Sequence, residues 1–434
     1  MHDQALQGDA ARSSPPRSAT SRAGRAGRDV LVFSGALVII ALHAIVDSFI
    51  APEPGTGASD HLMRGLVSLA VLALAVAVYP RLPAGGRAGL AGVFGALALE
   101  GAILAIADAR AAGARGEDWT GFLLVPVGVV LLVQAALLLW RSRKPGRFRW
   151  IRRAGIALAT IVLLYWTVVP IGIAILATHR PRAHVQPADL GRSYEEVTLR
   201  TSDGLELAAW YVPSRKGAAV ISYPTRQGKL AQARMLVRHG YGVLLLDARG
   251  YDGSEGDPNL FGWDDAKDID AAVAWLQSRP DVNDGRIGGI GFSVGGEAMI
   301  DAAASNTGLR AVVSEGAGVR SIREDLLRGP RGWFALPEAA VQTGALAVMS
   351  GTPPPPALDD LAARIAPRPL FLIYAGQGVG GEELNPEYFE AASQPKTLWK
   401  IDEAGHVGGF EARPEEYEQR VIAFFDRALL SEPE

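Results

Sequence analysis

The sequence predicts two architectures in one chain: an all-α transmembrane bundle, then a doubly wound, mostly parallel α/β sheet. Three observations carry that expectation. Apolar runs of membrane-crossing length crowd residues 30–178. From about residue 190, strand-type and helix-type patterns alternate. The strand-type runs in the middle of that half are continuously apolar, as strands buried on both faces must be.

The first 29 residues are polar and basic, with Ser13, Ser14, Pro15 and Pro16 among Arg12, Arg17, Arg22, Arg25 and Arg28. Too few apolar groups are present to offset the entropy of ordering, so a disordered cytoplasmic tail is expected. Apolar runs follow at about 30–50, 62–79, 88–107, 119–140 and 154–177. Most approach the roughly 20 residues that cross the hydrocarbon at 1.5 Å rise per residue, and the second is the shortest.

Arginine and lysine near span ends stay on the cytoplasmic side, which orients the bundle. The loop after the first run holds Glu53 and Asp60, the next Arg81 and Arg87, and the last is the strongly basic segment Arg141 to Arg153. Five spans with the N-terminus inside put everything beyond Ala177 outside the cytoplasm. The expected location is a multi-pass cell-membrane protein with its second half extracytoplasmic. Glu100, and His43 with Asp47 one helical turn apart, are ionisable groups inside these runs. They mark either a proton or substrate path or, the reading preferred, hydrogen bonds between helices.

Residues 179–194 read as a linker, and the sheet-bearing domain as 195–430. VTLRT (197–201) and LELAAWYV (205–212) form an antiparallel pair around Ser202-Asp203-Gly204. AAVISYP is a strand, LAQARMLVRHG a helix stopped at Gly240, and GVLLLD a buried strand. IDAAVAWLQSRP is an amphipathic helix ended by Pro280. RIGGIGF, LRAVVSEG, RPLFLIYAG and TLWKIDEAG complete the strands, with GGEAMIDAAA helical between the first two of these and a closing helix over Glu415 to Leu429.

The formal net charge of −3 argues against a nucleic-acid partner. With no cysteine, disulfides, thiolate metal sites and cysteine nucleophiles are excluded. The seven histidines lack ligand spacing, so no metal site is expected.

Ser293 stands between Gly291 and Gly295, where a buried strand turns into a helix. With 50 glycines in 434 residues the string G-x-S-x-G arises by chance roughly 0.3 times, so its weight comes from that context. Ligands of such sheets bind beyond the carboxyl ends of the strands, where Ser293 lies.

GFSVGG around Ser293, DARGYDGSEG (247–256) and EAGH (403–406) together resemble the α/β-hydrolase superfamily, especially bacterial serine hydrolases similar to dienelactone hydrolases and acyl-peptidases. The resemblance spans about 195–430 and does not reach the membrane half. It implies Ser293 as nucleophile on a strained elbow, with the amide of Val294 as one oxyanion donor. The order serine, acid, histidine implies a base after Ser293, and His406 is the only histidine there.

An aspartate after RPLFLIYAG is missing, and the loop reads AGQGVGGEELNPEYF. Glu382 stands four residues before Pro386, at a spacing similar to the family's acid; Glu383 and Glu315 remain as alternatives. Where relatives carry His-Gly this chain has Tyr223-Pro224, so the second oxyanion amide is assigned to Thr225. Tyr223 is left between a hydrogen-bonding and a packing role. Asp247, Arg249 and Gly250 resemble the family's structural turn, the arginine pairing with the aspartate or with a neighbouring loop. An insertion at about 320–366, with Trp333, Phe334, Met349 and Pro353 to Pro356, suits a small lid.

The function implied is a membrane-anchored serine hydrolase cleaving a small-molecule or lipid-like ester, or an amide or thioester, without a cofactor. The competing expectation is a hydrolase-like membrane sensor that binds without turnover, and the oligomeric state is left open.

Overall fold

The computed structural model describes residues 17–51, 58, 61–112, 116–141, 159, 162, 164–179 and 185–431. In the N-terminal half the helices are α1 (Arg17–Ile45), α2 (Leu62–Val78), α3 (Ala84–Ala112), α4 (Gly116–Phe122), α5 (Leu124–Arg141) and α6 (Val169–Thr178). Four segments, Gly27–Ile50, Arg64–Arg81, Ala84–Ile106 and Trp119–Trp140, are long and apolar enough to cross a membrane. They coincide with the first four expected runs. Of the fifth run, Tyr165–Thr178 is an apolar helix and most of the remainder lies outside the described residues.

The tail reading needs one correction. Residues 1–16 lie outside the described residues, but α1 already begins at Arg17, ahead of the apolar run. Alanine and arginine are good helix formers, so a helix already nucleated by the apolar stretch extends backwards through SATSRAGRAGR in spite of its two glycines.

The bundle turns Phe33, Leu37, Ala91, Ala98 and Leu131 inward, while Leu31, Val38, Leu74, Ile103 and Val133 stay on its outside. An apolar outer face suits hydrocarbon rather than water. Small residues let helices approach: the backbones of Gly95 and Gly128 face each other across α3 and α5. The in-span polar groups make interhelical contacts. His43 meets Thr120 at 2.9 Å, and Asp47 pairs with Arg64 at 3.2 Å.

The second half is an α/β-hydrolase sheet of eight strands: β1 (Glu195–Arg200), β2 (Glu206–Val212), β3 (Ala219–Tyr223), β4 (Gly242–Leu246), β5 (Ile287–Phe292), β6 (Ala311–Glu315), β7 (Leu370–Gln377) and β8 (Lys396–Gly405). Their spatial order is β1-β2-β4-β3-β5-β6-β7-β8. Only the pairings β1–β2 and β2–β4 are antiparallel. Every strand falls where the sequence places one.

Alternation along the strands builds two cores. Ile221, Leu244, Ile287 and Val312 face α8 (Ala266–Gln277), α9 (Val294–Ser305) and α12 (Leu358–Ala362). Their neighbours Val220, Val243, Ile290 and Val313 face α7 (Leu230–Arg238) and the closing helix α15 (Pro414–Leu429). Strands β3 to β6 are buried along their whole length, the reason they read as continuous apolar runs.

The insertion expected at 320–366 holds α10 (Ile322–Leu327), α11 (Pro330–Ser350) and α12. Helix α11 packs on α6, with Leu346, Ala345 and Met349 clustered against Ala174, Ala177 and Trp263. Phe334 lies near Tyr165 and Trp166, ring centroids 6.3 and 6.2 Å away. The two halves also meet through polar groups: His61 reaches Asp257 at 3.3 Å, and the amide of Leu260 donates to the carbonyl of Ala177 at 3.0 Å.

Candidate active site

Ser293 occupies the turn between β5 and α9 with φ 56° and ψ −127°, a conformation that costs a non-glycine residue on the order of 1–3 kcal/mol. Its surroundings hold it there. Its amide donates to the carbonyl of Glu315 on the adjacent strand at 2.8 Å, and its carbonyl accepts the amide of Gly296 at 2.8 Å. A Cβ at Gly291 would strike the backbone of Gly295 and sit 2.7 Å from the nitrogen of Gly296. One at Gly295 would lie 2.7 Å from the carbonyl oxygen of Tyr223. So tight a reversal admits only glycine at both places.

His406 lies just past β8 and approaches Ser293 Oγ through Nε2 at 2.8 Å. Its Nδ1 is hydrogen-bonded to Glu382 Oε1. The other carboxylate oxygen of Glu382 accepts the amide of Ala375 at 2.9 Å, so this buried side chain is held from both ends. A glycine-rich loop after β7 folds back over it: Gly381 has φ 97°, and a Cβ at Gly378 would lie 2.6 Å from the carboxylate. Asn385 pins the loop by donating to the carbonyls of Ala317 and Glu382 at 2.8 and 2.9 Å.

The two other acids stand elsewhere. Glu383 points outward and pairs with Arg328 at 2.9 Å. Glu315 is buried but accepts from the phenol of Tyr417 at 2.6 Å and the amide of Gly409 at 2.9 Å, and burial pushes its carboxyl pKa up. It anchors the segment after His406 without touching the imidazole.

The structure leaves the two backbone amides expected as oxyanion donors in these settings. Val294 opens α9, where an amide has no intrahelical carbonyl to reach and carries the positive end of the helix dipole. In the loop after β3, Pro224 has no amide hydrogen and the amide of Arg226 already donates to Asp247 at 2.7 Å, leaving that of Thr225.

These elements carry a family signature. The profile of the X-Pro dipeptidyl-peptidase (S15) family matches residues 185–404, just over half of the chain. The chain belongs to the S15 family.

Individual relatives of this S15-family chain are more distant. YfhR of Escherichia coli is 26% identical over 253 residues, 55% of this chain and 82% of its own. WAV2 of Arabidopsis thaliana, an alpha/beta hydrolase domain-containing protein, is 34% identical over 120 residues, 26% of this chain and 38% of that one. Among solved structures, the Pyrococcus furiosus esterase Pf2001 superposes on 57% of this chain and 97% of its own, with a TM-score of 0.48 at 24% identity. The Pyrococcus horikoshii acylaminoacyl peptidase covers 56% of this chain and 42% of its own, with a TM-score of 0.43 at 18% identity.

Around the S15 site the structure chooses between alternatives the sequence leaves open. Asp247 is paired not by Arg249 but by Arg226, whose Nε donates to it at 2.6 Å. Arg249 reaches across to Asp268 at 2.7 Å and Asp203 at 3.0 Å. The phenol of Tyr223 donates to Asp268 at 3.2 Å, so it belongs to this buried network.

One titratable neighbour escaped the sequence reading. Glu297, on the first turn of α9, is buried and accepts the amide of Gly318 at 3.0 Å. Burial pushes its pKa up to about 7, against the opposing pull of Arg320. The signal was present as an acid four residues after the serine, but burial of an acid is not visible in a string.

Proposed function

We propose that this α/β hydrolase cleaves a carboxylic ester through an acyl-enzyme formed on Ser293, while anchored in a membrane by its N-terminal helices. The observation that carries this reading is the continuous hydrogen-bonded chain from Ser293 through His406 to Glu382. A serine hydroxyl is a weak nucleophile until a base takes its proton, and this chain supplies a base already oriented by a buried carboxylate.

In the proposed reaction Ser293 Oγ attacks the carbonyl carbon and passes its proton to His406 Nε2. The carbonyl oxygen becomes an oxyanion, stabilised by the amides of Val294 and Thr225. As the tetrahedral intermediate collapses, the imidazolium returns the proton to the departing alkoxide and an ester to Ser293 remains. Water, deprotonated by the same imidazole, then releases the acid and restores the hydroxyl. Glu382 holds the imidazole tautomer and offsets the charge it acquires.

The basic tail and the basic Arg141 to Arg153 segment support an N-terminus in the cytoplasm and a hydrolase domain outside it. A second reading, release of an X-Pro dipeptide from a peptide amide, is favoured by the description of the family to which the chain belongs. Both use the same acyl-enzyme, and the leaving group separates them.

The test is to treat the full-length protein with a fluorophosphonate probe and to assay short esters beside X-Pro anilides. Labelling of the wild type and not of Ser293→Ala is expected, with ester turnover exceeding anilide turnover. A well-folded wild type inert to the probe and to both substrates would mean a binding protein and not an enzyme.

A further inference from the structure

A cavity of about 540 Å³ lies between the apolar helices at the end of the bundle nearest the hydrolase domain. Ile40, Leu97, Leu104 and Ile171 line it from α1, α3 and α6. Val67, Val71 and Leu72 of α2 add to it, and one further wall is not membrane-half sequence. It is made by Val341, Gly344, Val348 and Met349 of α11, the long helix of the insertion next to the proposed active site.

The opposite face of α11 closes a second cavity of about 310 Å³, lined by Ala335, Ala339 and Leu346 and, across from them, Trp263, Val319 and Arg320. Residues close in the chain to two of its lining residues pack against the elbow and His406. A Cβ on Gly262, next to Trp263, would lie 2.5 Å from Val294 Cγ1, and the segment preceding Val319 begins at Gly316 beside His406. One helix, α11, therefore lines both the apolar chamber among the membrane helices and the second cavity.

The chamber is amphipathic along its length. Its deep part is aliphatic, and Asp47, Arg64 and His179 gather at the mouth facing the hydrolase domain. Arg64 is buried, bridges Asp47 at 3.2 Å and Asp257 at 3.7 Å, and has its Nε without a hydrogen-bond partner. His179 lies 3.7 Å from Asp47 on its other side. Among the described residues this mouth offers carboxylate, guanidinium and imidazole groups, both donors and acceptors for a polar head group. A chamber of this size falls within the range of small-molecule sites.

We propose that the chamber is the loading site for a single-chain acyl ester with a small uncharged polar head, drawn from the surrounding bilayer. The chain lies among the aliphatic side chains, the head group meets the Arg64 cluster, and α11 is the partition the ester passes to reach Ser293. The proposal rests on the membrane-anchored hydrolase reading and names its substrate class.

Gly344 gives a clean probe, because a Cβ there meets nothing within 4 Å. Full-length Gly344→Trp and Gly344→Ala are made alongside wild type, each also in a Ser293→Ala background. The Ser293→Ala proteins, in bilayer nanodiscs, are irradiated with a monoacylglycerol carrying a diazirine in its chain. Crosslinks to α3, α6 or α11 are expected, competed by monooleoylglycerol more strongly than by oleate or a lysophospholipid. Gly344→Trp should lower them about tenfold by filling the space, and Gly344→Ala should leave them unchanged.

With Ser293 intact, Gly344→Trp should slow monooleoylglycerol hydrolysis about tenfold while p-nitrophenyl acetate turnover stays within about twofold. Absence of crosslinks, equal competition by oleate, or equal loss of both esters would overturn the proposal. Failure of the hydrolase reading is distinguishable, since it would appear as a wild type inert to fluorophosphonate whether or not the crosslinks form.

Discussion

Glu382 Oε2 accepts the amide hydrogen of Ala375 at 2.9 Å while its other oxygen meets the imidazole of His406. The carboxylate is thus fixed to β7 at one end and holds the imidazole at the other. Of three acids near this end of the sheet, only Glu382 reaches His406.

This relationship predicts different outcomes for the three glutamates. Glu382→Gln should lower ester kcat by roughly 10³–10⁴, as expected when the imidazole loses the group that orients it. Glu383→Gln should stay near wild type, since it removes only a surface pair with Arg328. Glu315→Gln should lower the melting temperature more than it lowers kcat. Steady-state kinetics and thermal unfolding of the three proteins check this, and a Glu383→Gln defect matching that of Glu382→Gln would contradict it.

The elbow gives a steric prediction. In Gly291→Ala the new methyl meets the backbone of Gly295 and Gly296, which has no rotamer to yield. The variant should lose about 1–3 kcal/mol of stability, from the overpacked turn, and should react with fluorophosphonate at least about tenfold more slowly. Denaturant unfolding and labelling rates measure the two effects.

Asp247 is fully buried, and its charge is balanced by Arg226 at 2.6 Å. Arg226→Met should destabilise the hydrolase domain by about 3–5 kcal/mol, because the carboxylate is left buried without its cation. Adding Asp247→Asn should recover part of the loss, a pattern that a double-mutant cycle resolves.

Glu297 makes stability depend on pH. Its folded pKa of about 7 lies above the ordinary 4.5, so the folded protein holds this proton more tightly than the unfolded chain does. The sign follows: the contribution is fully present below about pH 4.5 and is lost as pH rises through about 7, amounting on the order of 3 kcal/mol. Glu297→Gln should flatten that decline and exceed wild type in stability near pH 8. Melting curves across this range test it, and parallel slopes for the two proteins would refute it.

Much of this was legible along the chain. All eight strands were placed, β3 to β6 by runs such as GVLLLD and RIGGIGF, because burial on both faces leaves a continuous apolar signature. Ser293 was marked by glycines that the turn requires, and His406 by its order in the chain. The acid was not decided there. Glu382, Glu383 and Glu315 are chemically equivalent as letters, and what separates them is the direction in which a glycine-rich loop turns after β7. The same holds for Asp247, whose cation proved to be Arg226 and not Arg249.

The sequence by itself determined the two halves, the strand order of events and the strained serine, because those follow from local periodicity and sterics. Only the tertiary structure decided which carboxylate meets His406 and which cation balances Asp247, and that α11 packs against the bundle. These are contacts between segments far apart in the chain, set by the sheet order and the packing of α11 on α6, and no local pattern encodes them.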